Sequence, residues 1–220
     1  MTSDSENRIA AVIPALNEAA TIQRVIAGVR QYATAIVVDD GSTDETAKLA
    51  RDSGAIVESH VTNRGYEAAL RTGLESACKL GFQYAITIDA DGQHEPAIIK
   101  SFHDKILDDY DLVIGYRDRM QRFGEVVFSI VGRILWGIKD PMCGVKAYSA
   151  HCLQNVISKS EFDSIGTKYA VEAVRRGYKF AQLPVSTHRR TDSPRFGSGM
   201  RVNLRILKAL KTLILSRSSS

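Results

Sequence analysis

An α/β fold, a mostly parallel central sheet flanked by helices, follows from three features of the sequence. Short apolar runs alternate with amphipathic stretches from Ile9 to Val185, the rhythm of strand–helix–strand units. Runs such as Ala35 to Val38 are apolar at every residue, as strands covered on both faces require. Acidic residues cluster where successive runs end, the place where an open parallel sheet binds ligands.

The elements follow in order. Ile9 to Ile13 reads as a strand, and Asn17 to Tyr32 as a helix with Ile22, Val25, Ile26 and Val29 at helical spacing. Ala35 to Val38 is the second strand. Ser42 with Glu45 has the form of a capping box opening a helix from Thr43 to Ser53. A weaker strand, Ala55 to Glu58, leads through the Asn63–Gly65 turn to a helix from Glu67 to Leu80. Tyr84 to Ile88 is the next strand, and Pro96 suits the first turn of the helix after it. Leu112 to Ile114 is a further strand. The second half is less regular: a helix from Glu125 to Ile138, a strand from Val145 to Tyr148, a helix from Gly166 to Arg176, a strand from Phe180 to Val185 and a last helix from Met200 to Leu215. Residues 1–199 read as one domain and 200–220 as a basic amphipathic helix and tail.

The chain has 220 residues, 44% hydrophobic and 25% charged, which excludes a disordered tail, a collagen-like rod and a bare coiled coil. Charge is uneven. From Pro184 onward eight basic side chains face a single acid, Asp192, which points to an anionic partner. Cys78, Cys143 and Cys152 are odd in number and form no C-x-x-C pair, so a reducing compartment is expected. No signal-peptide core and no spanning apolar run is legible, which gives a cytoplasmic expectation.

Three acidic clusters carry the chemistry. Asn17 and Glu18 follow the first strand, Asp39 and Asp40 close the second, and Asp89 and Asp91 close the fourth. Any one of them could be turn and cap residues. Three in register converge on one cleft, where carboxylates repel unless a cation sits among them. A hard divalent ion, Mg2+ or Mn2+, suits an Asp-x-Asp pair and a diphosphate. Arg117, Arg190 and Arg195 are candidate counter-charges, since guanidinium forks grip phosphate. His94 reads as a turn or cap residue; His60, His103 and His151 receive no role.

Together I-P-A-L-N-E, V-V-D-D-G-S-T-D-E-T, the Asn63–Gly65–Ala68 stretch, I-D-A-D-G-Q-H-E-P, V-I-G-Y-R and D-P-M-C-G-V-K-A-Y resemble family 2 glycosyltransferases. Their order and the Asp140–Tyr148 block are similar to the dolichyl- or polyprenyl-phosphate mannosyltransferase branch. The resemblance runs from Arg8 to Arg195. It implies the glycosyltransferase A fold, a GDP- or UDP-linked nucleotide sugar and Mg2+ or Mn2+. It implies that Asp89, Asp91 and Gln93 contact the metal. Pro14, Leu16, Glu18, Asp39, Asp40, Asp89, Ala90 and Asp91 would bind the donor, with Arg190 and Arg195 on its diphosphate, and Arg117 would hold the acceptor phosphate. Asp91, Arg190 and Arg117 are the implied catalytic set. Two departures stand out: Leu16 replaces a tyrosine frequent in the family, and Glu125 stands one turn before Ser129 where an arginine is frequent. Arg122 and Arg133 are the substitutes for that arginine beside Ser129.

The implied reaction is in-line, inverting displacement at the anomeric carbon, moving mannose or glucose to a polyprenyl phosphate. That acceptor is already an anion, so no general base is named. The Q-x-x-R-W signature of processive synthases is absent. Lipid acceptors imply a peripheral site at the cytoplasmic face of a membrane, alone or with a membrane subunit. In the last helix Val202, Ile206, Leu207, Leu210, Leu213 and Ile214 share one face, and Arg201, Arg205 and Lys208 the other. That pattern fits an interfacial helix or one packed on the sheet. Val126, Val127, Ile130 and Ile134 form a stripe read first as core and second as another membrane contact. The competing readings are a same-fold transferase acting on a soluble or glycan hydroxyl, and a nucleic-acid-binding module. The basic tail lacks interleaved aromatics, so no nucleic-acid partner is expected.

Overall fold

The computed structural model describes residues 9–118, 120, 122–157, 165–186 and 200–215. Seven strands among them form one sheet in the order β3-β2-β1-β4-β6-β5-β7. They are β1 (Ile9–Ala15), β2 (Thr34–Asp39), β3 (Ile56–Ser59), β4 (Tyr84–Thr87), β5 (Leu112–Tyr116), β6 (Lys146–Ser149) and β7 (Phe180–Pro184). All pairings are parallel except those of β6, which runs antiparallel to both β4 and β5. The helices are α1 (Ile22–Val29), α2 (Thr46–Asp52), α3 (Tyr66–Lys79), α4 (Ile98–Leu107), α5 (Phe123–Trp136), α6 (Ala150–Ile157), α7 (Ile165–Arg175) and α8 (Met200–Leu215).

All seven residues of β1 are buried, and alternate ones feed two cores. Ala10 and Val12 pack beneath α3, α5, α6, α7 and α8; Ile9, Ala11 and Ile13 pack beneath α1, α2 and α4. A fully buried Val, Leu or Ile contributes about 1.5–3 kcal/mol, so burial on both faces accounts for the unbroken apolar strands.

Four local expectations are corrected. The first helix begins at Ile22 and not at Asn17, because Asn17 turns left-handed (φ 53°) and its side-chain oxygen accepts the Thr43 N–H at 2.9 Å. Ser42 and Glu45 form no capping box: the Ser42 hydroxyl accepts from the Asn17 N–H, and Asp44 receives the Thr46 N–H at the start of α2. α6, unread in the sequence, is capped by Ser149, whose hydroxyl accepts the Cys152 N–H at 3.2 Å.

The fourth concerns α5. Its buried face is Gly124, Glu125, Phe128, Ser129, Gly132 and Trp136, while Phe123, Val126, Ile130 and Ile134 are 70%, 41%, 55% and 75% exposed. Close approach decides this orientation: a Cβ on Gly132 would lie 2.4 Å from Pro141 Cγ, so only the glycine face can meet that loop. Of the stripe read as core, Val126, Ile130 and Ile134 therefore face outward, and Val127 alone is half-buried against the core. In α8 the reverse holds, with Ile206, Leu210 and Leu213 buried in the core beside Phe128 and Trp136. The Gly124 N–H donates to Asn203 Oδ1 at 2.9 Å and ties the two helices. Among the described residues no helix is long and apolar enough to cross a membrane.

Candidate active site

The ends of β1, β2 and β4 meet at one edge of the sheet, because β1 lies between the other two in parallel register. At the end of β1, Pro14 is buried, Leu16 is half-buried and Glu18 is 7% exposed. The Thr21 hydroxyl donates to Glu18 Oε2 at 2.9 Å, and the Glu18 N–H reaches across to Thr46 Oγ1. Asp39 and Asp40 are both buried. Asp39 Oδ1 accepts the Ser42 N–H at 3.2 Å. Asp40 reaches the neighbouring loop. Its Oδ1 accepts from Arg64 N–H at 2.9 Å and meets His60 Nδ1 at 2.6 Å, and its Oδ2 accepts from Gly65 N–H at 2.8 Å. Those bonds make Asp40 the brace of the Asn63–Gly65 turn.

Asp89, Ala90 and Asp91 follow β4. Asp89 is held on three sides: the Tyr66 hydroxyl donates to Oδ1 at 3.1 Å, His94 Nε2 stands 3.6 Å from Oδ2, and Gly144 backs the carboxylate. A Cβ on Gly144 would lie 3.0 Å from Oδ2. Burial pushes the Asp89 carboxyl up, but the His94 ring, the Tyr66 hydroxyl and the charge of Lys146 outweigh it and hold the group below its ordinary value. Burial likewise pushes the Tyr66 phenol well up, with the Asp89 charge adding to it, so Tyr66 stays protonated and donates. Asp91 Oδ1 accepts the Gln93 backbone N–H at 3.0 Å.

On the far side of β6 stands Arg117, just beyond β5. Asp140, 1% exposed, grips its fork through Nε at 2.8 Å and Nη2 at 3.2 Å. Burial pulls the guanidinium down, yet its hydrogen bonds to Asp140 raise it above its ordinary value, so it is permanently cationic. Glu125, 3% exposed, lies 3.7 Å from Arg117 Nη1 and accepts from Arg122 Nη1 at 2.6 Å. Glu125 therefore gathers two guanidinium groups where the family pattern has an arginine. The Ser129 hydroxyl donates to the Lys139 carbonyl, and Arg133 is an exposed side chain eight residues beyond Glu125, about 12 Å along the helix. Neither joins the Arg117–Arg122 pair. Arg190 and Arg195 lie outside the described residues. The segment from Asp140 to Gly144 spans the two halves, Asp140 on Arg117 and Gly144 on Asp89.

Sequence reasoning missed Tyr66, His94, His60, Asp140 and Gly144 as site-forming residues. All but His60 fall inside motifs quoted for other reasons or beside them; His60 carried no signal. Burial pushes Cys143 up to about 11 and Cys152 up to about 12, so neither is a thiolate nucleophile.

The donor set fits a hard divalent cation. Among the described residues no group of three or more His, Cys, Asp or Glu could cage a metal. Two half-exposed carboxylates two residues apart suit Mg2+ or Mn2+, which take one or two protein carboxylates and complete their shell with water and substrate phosphate.

The glycosyl transferase family 2 model matches residues 10–127. An uncharacterized Methanocaldococcus jannaschii protein is 30% identical over 200 residues, covering 83% of this chain and 82% of that one. The dolichyl-phosphate hexose transferase of Haloferax volcanii is 26% identical, covering 94% and 96%. Among solved structures, glucosyl-3-phosphoglycerate synthase from Mycobacterium tuberculosis, in complex with Mn2+, UDP and phosphoglyceric acid, superposes with a TM-score of 0.76 at 22% identity, covering 97% and 81%.

Proposed function

Since the chain belongs to glycosyl transferase family 2, we propose that it moves a hexose, mannose foremost, from a GDP- or UDP-linked sugar to polyprenyl or dolichyl phosphate, with inversion and with dependence on Mg2+ or Mn2+. The observation that carries this reading is the pairing of the Asp89–Asp91 carboxylates with the Arg117–Arg122 guanidinium groups across the Asp140–Gly144 segment. One half suits a metal diphosphate and the other an anionic acceptor. The name of the Haloferax relative, a dolichyl-phosphate hexose transferase, supports a lipid phosphate.

Asp89 and Asp91 would hold the metal, whose chemistry is to neutralise charge growing on the departing diphosphate. Arg190 is proposed beside that diphosphate, with Arg195 near it. Asp39 faces the nucleoside, and Asp40 braces the pocket from behind. Arg117 and Arg122 orient the acceptor phosphate for attack on the anomeric carbon. As the phosphate oxygen is already anionic, no side chain needs to remove a proton.

A lipid acceptor calls for contact with a membrane surface, at its cytoplasmic face. Support comes from the outward stripe of α5, which starts at Phe123, next to Arg122. The exposed charged side chains described on α5 and α8 are all basic: Arg133, Arg205, Lys208 and Lys211. An apolar stripe bordered by cations complements an anionic bilayer.

Glu125 favours a second reading, a soluble or glycan acceptor, because its buried carboxylate offsets part of the positive charge a lipid phosphate would meet. One assay separates the two. Purified protein with Mn2+ or Mg2+, labelled UDP- and GDP-hexoses and short polyprenyl phosphate is expected to yield an organic-extractable glycolipid. Asp91→Asn is expected to lower the rate at least about 100-fold. Nucleoside diphosphate release without glycolipid would support the soluble acceptor, and no metal-dependent turnover with any donor would overturn the proposal.

A further inference from the structure

Asp89 is placed by groups that lie far from it in sequence. Tyr66, which donates to Asp89 Oδ1, is the first residue of α3. The residue before it, Gly65, has φ 91° and ψ 156°, a conformation other residues rarely adopt. The Gly65 N–H points at Asp40 Oδ2 (2.8 Å) and Asn63 Oδ1 (2.9 Å), and the Arg64 N–H at Asp40 Oδ1. His60 closes the loop. Its Nδ1 lies 2.6 Å from Asp40 Oδ1 and its Nε2 2.9 Å from Thr72 Oγ1, which sits on α3 itself. A carboxylate only accepts, so the proton on Nδ1 points at Asp40, while Nε2 meets the Thr72 hydroxyl, which can donate or accept. Both partners are nearly closed to solvent, with the His60 and Asp40 side chains 6% and 4% exposed.

We infer that Tyr66 is a positioning residue for the metal-side carboxylate Asp89, and that the His60–Asp40 pair holds Tyr66 in register by fixing the Arg64–Gly65 turn and α3 together. The inference rests on the reading of Asp89 as a metal ligand. Its physical content is that a ligating carboxylate free to rotate loses affinity, and that partners behind a ligand typically govern about 10–100-fold of it. Tyr66 holds one oxygen of Asp89, His94 Nε2 stands 3.6 Å from the other, and Gly144, lacking a Cβ, leaves that oxygen its room. The His60 ring bonds to Asp40 and Thr72. It acts at a distance, through two backbone N–H groups and one hydroxyl.

The test is Mn2+ affinity, read by electron paramagnetic resonance and by calorimetry in the presence of UDP and, separately, GDP. Tyr66→Phe keeps the ring and removes the donor, and is expected to weaken Mn2+ binding about tenfold with thermal unfolding little changed. His60→Ala is expected to weaken it in the same direction by a smaller factor. The double variant should fall short of the product of the two, because the residues act on one carboxylate. His60→Gln, whose amide can still donate to Asp40, should recover part of the loss. Mn2+ binding that is normal in Tyr66→Phe but lost in Asp91→Asn overturns this inference alone. Should His60→Ala lower only the unfolding temperature, the His60 half falls and Tyr66 stands by its own variant. Absence of Mn2+ binding by the wild-type protein with either nucleotide overturns both this inference and the proposed function.

Discussion

Asp89 shows how little of a ligand's behaviour resides in the ligand. Its carboxylate is held by Tyr66, faced by His94 and backed by Gly144; His94 lies five residues on in the same motif, but sequence spacing connects neither Tyr66 nor Gly144 to it. The Asp-x-Asp pair itself was legible because closely spaced carboxylates at a strand end call for a cation. The partners were not, because a tyrosine 23 residues upstream and a glycine 55 residues downstream leave no local pattern. Gly144 offers a direct check. Gly144→Ala would set a methyl 3.0 Å from Asp89 Oδ2, tighter than ordinary contact, and the carboxylate must turn to relieve it. The expected result is about a tenfold fall in metal-dependent turnover with a raised Mn2+ requirement. Turnover equal to wild type at limiting Mn2+ would show that the fit against Gly144 is not needed. Asp40 carries the complementary lesson: its motif gave no sign that its oxygens also hold the Arg64–Gly65 turn.

Helix α5 was found from periodicity, and its orientation was misread by the same signal. Hydrophobic spacing marks an apolar face without saying what covers it. Here small residues, Gly124, Ser129 and Gly132, define the buried face, since they allow the Pro141 loop and α8 to approach, while Ile130 and Ile134 are left outside. The consequence can be measured. Ile134→Glu is expected to leave thermal unfolding nearly unchanged, because Ile134 is 75% exposed. It should weaken binding to vesicles of phosphatidylglycerol and phosphatidylcholine about tenfold, the scale set by losing one isoleucine from an apolar interface. Sedimentation of protein with vesicles gives the comparison, and equal binding of the two proteins would remove α5 from the membrane contact. At the start of α2 the error was of the same kind. Ser42 and Glu45 have the right letters for a capping box, but Ser42 is drawn across to Asn17, and it is Asp44 that accepts the Thr46 N–H.

In the whole molecule, α8 joins the core shared by α3, α5, α6 and α7, so its apolar stripe is a structural face. Leu210→Ala, at a residue 5% exposed, is expected to cost about 2–5 kcal/mol in chemical unfolding. A cost within 0.5 kcal/mol would mean that α8 packs loosely in solution. Apart from α6, the order of chain segments, the parallel β-α rhythm and the acids at strand ends were readable from residue order, because each is set by short-range periodicity and by where apolar runs stop. Only the tertiary structure decided the rest. It placed β6 antiparallel between β4 and β5, which carries the Asp140–Gly144 segment between Arg117 and Asp89. It also chose which face of α5 and α8 is covered and which partner each buried carboxylate takes. Those choices depend on contacts between residues tens of positions apart, where close packing and the cost of an unpaired buried charge select one arrangement that no local pattern encodes.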